Sequence, residues 1–220
     1  RRQRQMCIRD RTMVDIEKKF LELAIKLEAL LFGEFTLKSG RKSFYFFNIT
    51  AFLESGHIAE LAKMYSEKIA DFNLDYDVIF GPAYKGIPLA SAVATVLNKR
   101  TSKQIPICFD RKEEKDHGEG GVLVGSVKNK KVLIIDDVLS MGTALKNSIK
   151  LIQRAGGTVS AVIIALDRQE QDKGMLVSKK LAGELNIPIL AISSLENLII
   201  FLETSGQKGI AEKLKSFIKN

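Results

Sequence analysis

The chain has 220 residues, 45% hydrophobic and 27% charged, with a formal net charge of +8. That balance belongs to an ordinary globular domain with a sizeable core and excludes a disordered or collagen-like chain. No apolar run reaches the ~20 residues of a bilayer-spanning helix, so cytoplasm is the expected compartment and no membrane partner is expected.

The chain opens on "RRQRQMCIRDR", which has no apolar periodicity and matches one reading frame of a common transposon-type sequencing adaptor. Residues 1–12 are therefore expected to be a translated library scar, the alternative being a disordered basic arm. Without its five arginines and one aspartate the net charge falls from +8 to +4, which gives no ground for a nucleic-acid partner. Cys7 leaves with this segment, and Cys108 in "IPICF" reads as a small core residue. His57 and His117 are the only histidines, so Cys and His alone build no zinc site.

From there the spacing predicts a helix over 16–32, with Ile16, Phe20, Leu23, Leu27 and Leu30 on one face, Asp15 as its cap and Gly33 as its stop. Residues 34–50 read as irregular, with short aromatic-rich strands. A second amphipathic helix carries Ile58, Leu61, Tyr65 and Ile69. An alternation then sets in: strand "DVIFGP", helix "PLASAVATVL", strand "IPICFD", a charged glycine-rich loop, strand "VLIIDD" and a helix to Arg154. Strand "VSAVIIALD", a helix with Val177, Leu181 and Leu185, strand "PILAIS" and two short helices complete it. Alternating strands and helices predict an α/β fold: a mostly parallel central sheet flanked by helices, residues 13–220 forming a single domain with a small N-terminal appendage over about 13–55.

Three stretches fall at predicted strand ends, where open α/β sheets collect ligands. In "KVLIIDDVLSMGTAL" the adjacent carboxylates of Asp136 and Asp137 can accept bonds from vicinal sugar hydroxyls or hold a hydrated Mg²⁺. The turn after them, Val138, Leu139, Ser140, Met141, Gly142, Thr143 and Ala144, offers backbone N–H groups, two hydroxyls and a helix N-terminus to a phosphate monoester. A capped strand-to-helix turn with solvated acids is the plain alternative. "GPAYKGIPLA" is not a Walker A loop, since Ile87 and Pro88 stand where Lys and Ser/Thr are required. Its glycines and Lys85 still suit a pyrophosphate, although an ordinary turn before a helix has the same composition. All twelve residues of "DRKEEKDHGEGG", 110–121, are charged, His or Gly. Such a run reads as a solvated loop, or as a mobile lid bringing Arg111, Lys112, Lys115 and His117 over a polyanion.

The turn resembles the phosphoribosyl-diphosphate-binding motif of type I phosphoribosyltransferases. With "FTLKSGRKSFYFFN" and "RKEEKDHGEGG", the chain resembles the orotate phosphoribosyltransferases in particular. The resemblance implies transfer of ribose 5-phosphate from phosphoribosyl diphosphate to orotate, with Mg²⁺, in a homodimer whose lids reach across the interface. It makes the N-terminal appendage a hood. It places Asp136 and Asp137 at the ribose hydroxyls, 138–144 at the 5′-phosphate, and Tyr84 and Lys85 at the pyrophosphate, under Arg111, Lys112, Lys115 and His117. Lys38, Phe46, Phe47, Ser140 and Arg168 surround the orotate, Lys38 also reaching the diphosphate substrate. Catalysis is assigned to Lys85, Lys115, Asp136 and Asp137. The chain departs from the family's usual pattern at Ser140-Met141, where Thr-Ala is common, and at Phe44, where Pro is frequent; Met141 is expected to crowd the turn. The competing expectations are transfer to another nucleobase, and a non-catalytic regulator that keeps the sugar-phosphate pocket.

Overall fold

Helix α1 spans Asp15–Lys26 and strand β1 spans Leu30–Thr36, so the apolar spacing that continues to Leu30 crosses two elements. The helix stops because Glu28 takes the left-handed conformation, at φ 56°. Gly33 is therefore no helix stop: it lies within β1, where pairing shifts between Phe32 and Phe35. In this computed structural model residues 15–37, 40–115 and 121–218 are described, with backbone alone for 112–115, 121 and 218. The expected scar, residues 1–12, lies outside the described residues.

β1 pairs antiparallel with β2 (Lys42–Phe47). Helices α2 (Thr50–Glu54) and α3 (Ile58–Asp71) follow, then β3 (Val78–Gly81) and α4 (Gly86–Thr101). Next come β4 (Ile107–Lys115), β5 (Gly121–Val124), β6 (Lys131–Leu139), α5 (Thr143–Arg154) and β7 (Thr158–Asp167). A two-residue ribbon, β8 (Gln171–Asp172) with β9 (Met175–Leu176), escaped the sequence reading. Helix α6 (Val177–Leu185), β10 (Ile189–Ser194), α7 (Leu195–Thr204) and α8 (Lys208–Ile218) end the described fold.

The central sheet has the order β10-β7-β6-β3-β4-β5, parallel except for β5. Its middle strands are buried on both faces. Ile79, Leu133, Ile135 and Ile163 join α1, α3 and α4 in one apolar layer. Phe80, Val132, Ile134 and Val162 join α5 and α6 in the other. Period-two alternation thus splits each apolar run between two cores.

The chain passes from β3 to β4 on one side, then returns to lay β6 on the other side of β3. Helices α4 and α5 consequently cover opposite faces. The carboxyl ends of β3 and β6 flank the crevice at this reversal, the place where doubly wound sheets bind ligands.

The charged stretch 110–121 is not wholly a loop. Asp110–Lys115 continues β4 and pairs antiparallel with β5, Asp110 opposite Leu123 and Lys115 opposite Gly121. Backbone ladder bonds hold such an arm without an apolar core. Residues 116–120, His117 among them, lie outside the described residues.

Candidate active site

Strand β6 carries the two acids to the crevice and runs on to Leu139, which pairs with Asp167 of β7. Asp137 is only 9% exposed. Its backbone N–H donates to Asp136 Oδ1 at 2.9 Å, and the Tyr65 hydroxyl on α3 donates to the Asp136 carbonyl at 2.7 Å. Enclosure, then the adjacent Asp137 charge, pushes Asp136 from the ordinary carboxyl value up to about 7.

Facing them, the turn after β3 folds back on itself. A Cβ at Gly81 would lie 2.2 Å from the Gly86 carbonyl oxygen, and one at Gly86 would lie 2.7 Å from Pro82 Cδ. Only two glycines allow the backbone to approach itself this closely. The tight turn sets Tyr84 outward, 63% exposed, and places Lys85 Nζ 3.6 Å from Asp137 Oδ2. The Ala83 N–H donates to Asp110 Oδ1 at 2.6 Å, tying this turn to the root of the charged arm.

The turn after β6 runs through Gly142, at φ 76°, into α5. Gly142 has no side chain to bond the first turn of α5, so those N–H groups remain available to a phosphate. Thr143 and Ala144 are exposed at the mouth, while Val138 and Leu139 sit inward. Met141 does not crowd the turn: it packs onto the apolar layer of α5 and α6.

On the third side, Arg168 follows β7 and is 8% exposed. Its guanidinium lies 4.4 Å from the centre of the Tyr45 ring, with Nη2 donating to Ser43 Oγ at 2.9 Å. Its Nε donates to Glu170 Oε1 at 3.0 Å, and the Ser140 hydroxyl donates to the same oxygen at 2.7 Å. Arg168 and Ser140 thus meet through Glu170. A cavity of about 750 Å³ opens here, lined by Arg41, Ser43, Tyr45, Arg168 and Glu170 among others. Asp136 and Asp137 do not line it; they sit at the carboxyl end of β6, where the strand order reverses.

The two phenylalanines separate. Phe47 is buried against Phe20, ring centres 5.9 Å apart, whereas Phe46 is 37% exposed and meets Phe35 at 5.6 Å. Strand alternation puts Phe46 on the face of β2 opposite Ser43 and Tyr45, hence away from Arg168. Phe44 packs on Phe217, ring centres 5.6 Å apart. Arg111 is half-buried on β4. Lys38, His117 and the side chains of Lys112 and Lys115 lie outside the described residues. Tyr65, Asp110, Tyr45 and Glu170 were missed by the sequence reading; Glu170, two residues past Arg168, was the one with a local signal.

Among the described residues, no three His, Cys, Asp or Glu side chains gather around a point that could hold a metal. Two carboxylates suit a hydrated Mg²⁺ shared with a phosphate ligand, not an all-protein cage. No helix of the described residues is long and apolar enough to cross a membrane.

A phosphoribosyl transferase domain model matches residues 50–188. The chain is 47% identical over 207 residues to an orotate phosphoribosyltransferase of Marinobacter nauticus, covering 93% of this chain and 97% of that one. It is 46% identical over 201 residues to the Aliivibrio fischeri enzyme of the same name, covering 91% and 93%. Among solved structures, the orotate phosphoribosyltransferase of Francisella tularensis superposes with a TM-score of 0.79 at 40% identity, covering 90% of this chain and 96% of that one.

Proposed function

The chain belongs to the orotate phosphoribosyltransferase family, and on that premise we propose how its site carries out the reaction. Orotate and 5-phosphoribosyl 1-diphosphate give orotidine 5′-monophosphate and diphosphate, a step of pyrimidine biosynthesis. The carrying observation is the acid pair at the end of β6, set opposite Lys85 and beside the open N-terminus of α5.

The 5′-phosphate rests on the 138–144 turn, where the first N–H groups of α5 and the Thr143 hydroxyl meet its oxygens. Asp136 and Asp137 accept from the ribose hydroxyls. As the anomeric C–O bond breaks, positive charge develops on the ribose and negative charge on the departing diphosphate. The acids stabilise the first; Lys85, whose Nζ lies 3.6 Å from Asp137 Oδ2, stabilises the second. Mg²⁺, held through diphosphate oxygens and water, supplies further charge neutralisation there when bound. Arg168 meets the carboxylate of orotate as a planar fork, with Ser140 beside it. Phe47 supports the hood from within and Phe46 faces away from Arg168, so of the hood residues only Lys38 is kept at the base, on the family resemblance.

The β4–β5 arm is the stem of a lid that brings Arg111, Lys112, Lys115 and His117 onto the diphosphate and excludes water from the ribose cation. The resemblance supports a homodimer with each lid reaching its partner's site, a cytoplasmic location, and a single domain over 13–220 with its hood over 13–55. The reverse reaction tests the assignment. Orotidine 5′-monophosphate with diphosphate and Mg²⁺ should release orotate; release of no base would defeat it.

A further inference from the structure

We infer that Glu170 is a positioning residue for base recognition, holding Arg168 and Ser140 in one fixed relation. The inference rests on the proposed use of orotate and names a residue to which that reading gives no role. One carboxylate joins three parts of the fold. Its Oε1 accepts from Ser140 in the phosphate turn at 2.7 Å and from Arg168 after β7 at 3.0 Å. Its Oε2 lies 3.3 Å from Nη1 of Arg41, beside the β1–β2 turn. The backbone is fixed too: the Glu170 carbonyl accepts from the Val177 N–H at 2.9 Å.

The burial differs along this chain of contacts. Arg168 and Glu170 have side chains 8% and 10% exposed, whereas Arg41 is 49% exposed. The inner two contacts are therefore the ones that fix geometry, and the Arg41 contact is screened by solvent. An arginine presents a flat donor fork whose value depends on its plane. Here Glu170 sets that plane at Nε, Ser43 at Nη2, and the Tyr45 ring supports it from one side. Removing the carboxylate frees the Arg168 plane and lets the Ser140 hydroxyl rotate. The acids and Lys85 do not contact Glu170, so ribose and diphosphate contacts remain in place.

The test compares Glu170→Ala, Glu170→Asp and Glu170→Gln with the natural chain in full steady-state kinetics. Gln keeps an acceptor oxygen at the same reach; Asp keeps the charge but is one methylene short. The Ala and Asp variants are expected to raise the KM for orotate about tenfold or more, the effect of losing a charge-assisted bond. The KM for phosphoribosyl diphosphate should stay within about twofold, and Gln should restore most of the orotate affinity. If Ala fails to fold, Asp still reads the same split. Both Michaelis constants rising together, or an unchanged KM for orotate in Ala and Asp, would overturn the inference. The natural chain is assayed first: its failure to use orotate would overturn the proposed function and this inference together, whereas an active natural chain puts only the inference at stake.

Discussion

Lys85, about half exposed, lies 3.6 Å from Asp137, which is almost enclosed, so a lysine from β3's turn and an acid from β6 face each other across the reversal of strand order. In the proposed mechanism the acid serves the developing ribose cation and the lysine the departing diphosphate. Asp137→Asn removes a negative charge from beside the developing ribose cation. Turnover should fall about 10²-fold or more while the KM for orotate stays within about threefold, because the lost interaction belongs to the transition state. Steady-state kinetics read this split; a collapsed orotate affinity with normal turnover would contradict it.

Asp136 carries a pH signature. Its pKa of about 7 in the fold lies above its unfolded value. Between the two values the folded chain keeps a proton that the unfolded chain has released, so this group makes stability fall as pH rises from about 4 to about 7. Asp136→Asn abolishes that loss. Its melting temperature should exceed that of the natural chain at pH 8, with the margin closing toward pH 4. Equal differences at pH 4 and pH 8 would show that Asp136 does not titrate in this window.

The glycines of the turn after β3 are steric requirements. Gly81→Ala would set a Cβ 2.2 Å from the Gly86 carbonyl oxygen, a backbone atom that cannot swing aside. A cost of ~1–3 kcal/mol or more, or about 5 °C in melting temperature, should accompany loss of turnover. Gly183→Ala in α6 has nothing within 4 Å of the new Cβ. That change should leave activity intact and stability unchanged or slightly raised. Melting curves of the two variants check the contrast.

The strands and their order of appearance were readable because four or five consecutive apolar residues followed by small or acidic ones mark a strand buried on both faces. The acid pair and the turn into α5 were readable for the same reason: they follow such a run directly. The first helix was overextended because Leu27 and Leu30 keep helical spacing while the chain has already turned at Glu28. The β4–β5 arm was hidden because its residues are charged, and ladder bonds leave no mark on composition. Glu170, Tyr65 and Asp110 act through partners 30, 71 and 27 positions away. Only Glu170 carried a local signal, two residues past Arg168; no local pattern announces the distant contacts.

Sharing of sites between subunits is open to a complementation experiment. If Lys115 serves the partner's acids, Lys115→Ala and Asp137→Asn chains refolded together form hybrids with one doubly damaged and one intact site. About half of the dimers in a statistical mixture are hybrids, so about a quarter of natural activity should return. Sites built within one chain would give no recovery beyond the parents.

The central claim is the choice of base, and a competition assay tests it most directly. The natural chain is incubated with phosphoribosyl diphosphate, Mg²⁺ and equimolar orotate, hypoxanthine and adenine, and each base is followed by chromatography. The account predicts that orotate alone disappears, matched by equal orotidine 5′-monophosphate and diphosphate. Persistence of orotate while a purine is consumed would contradict it.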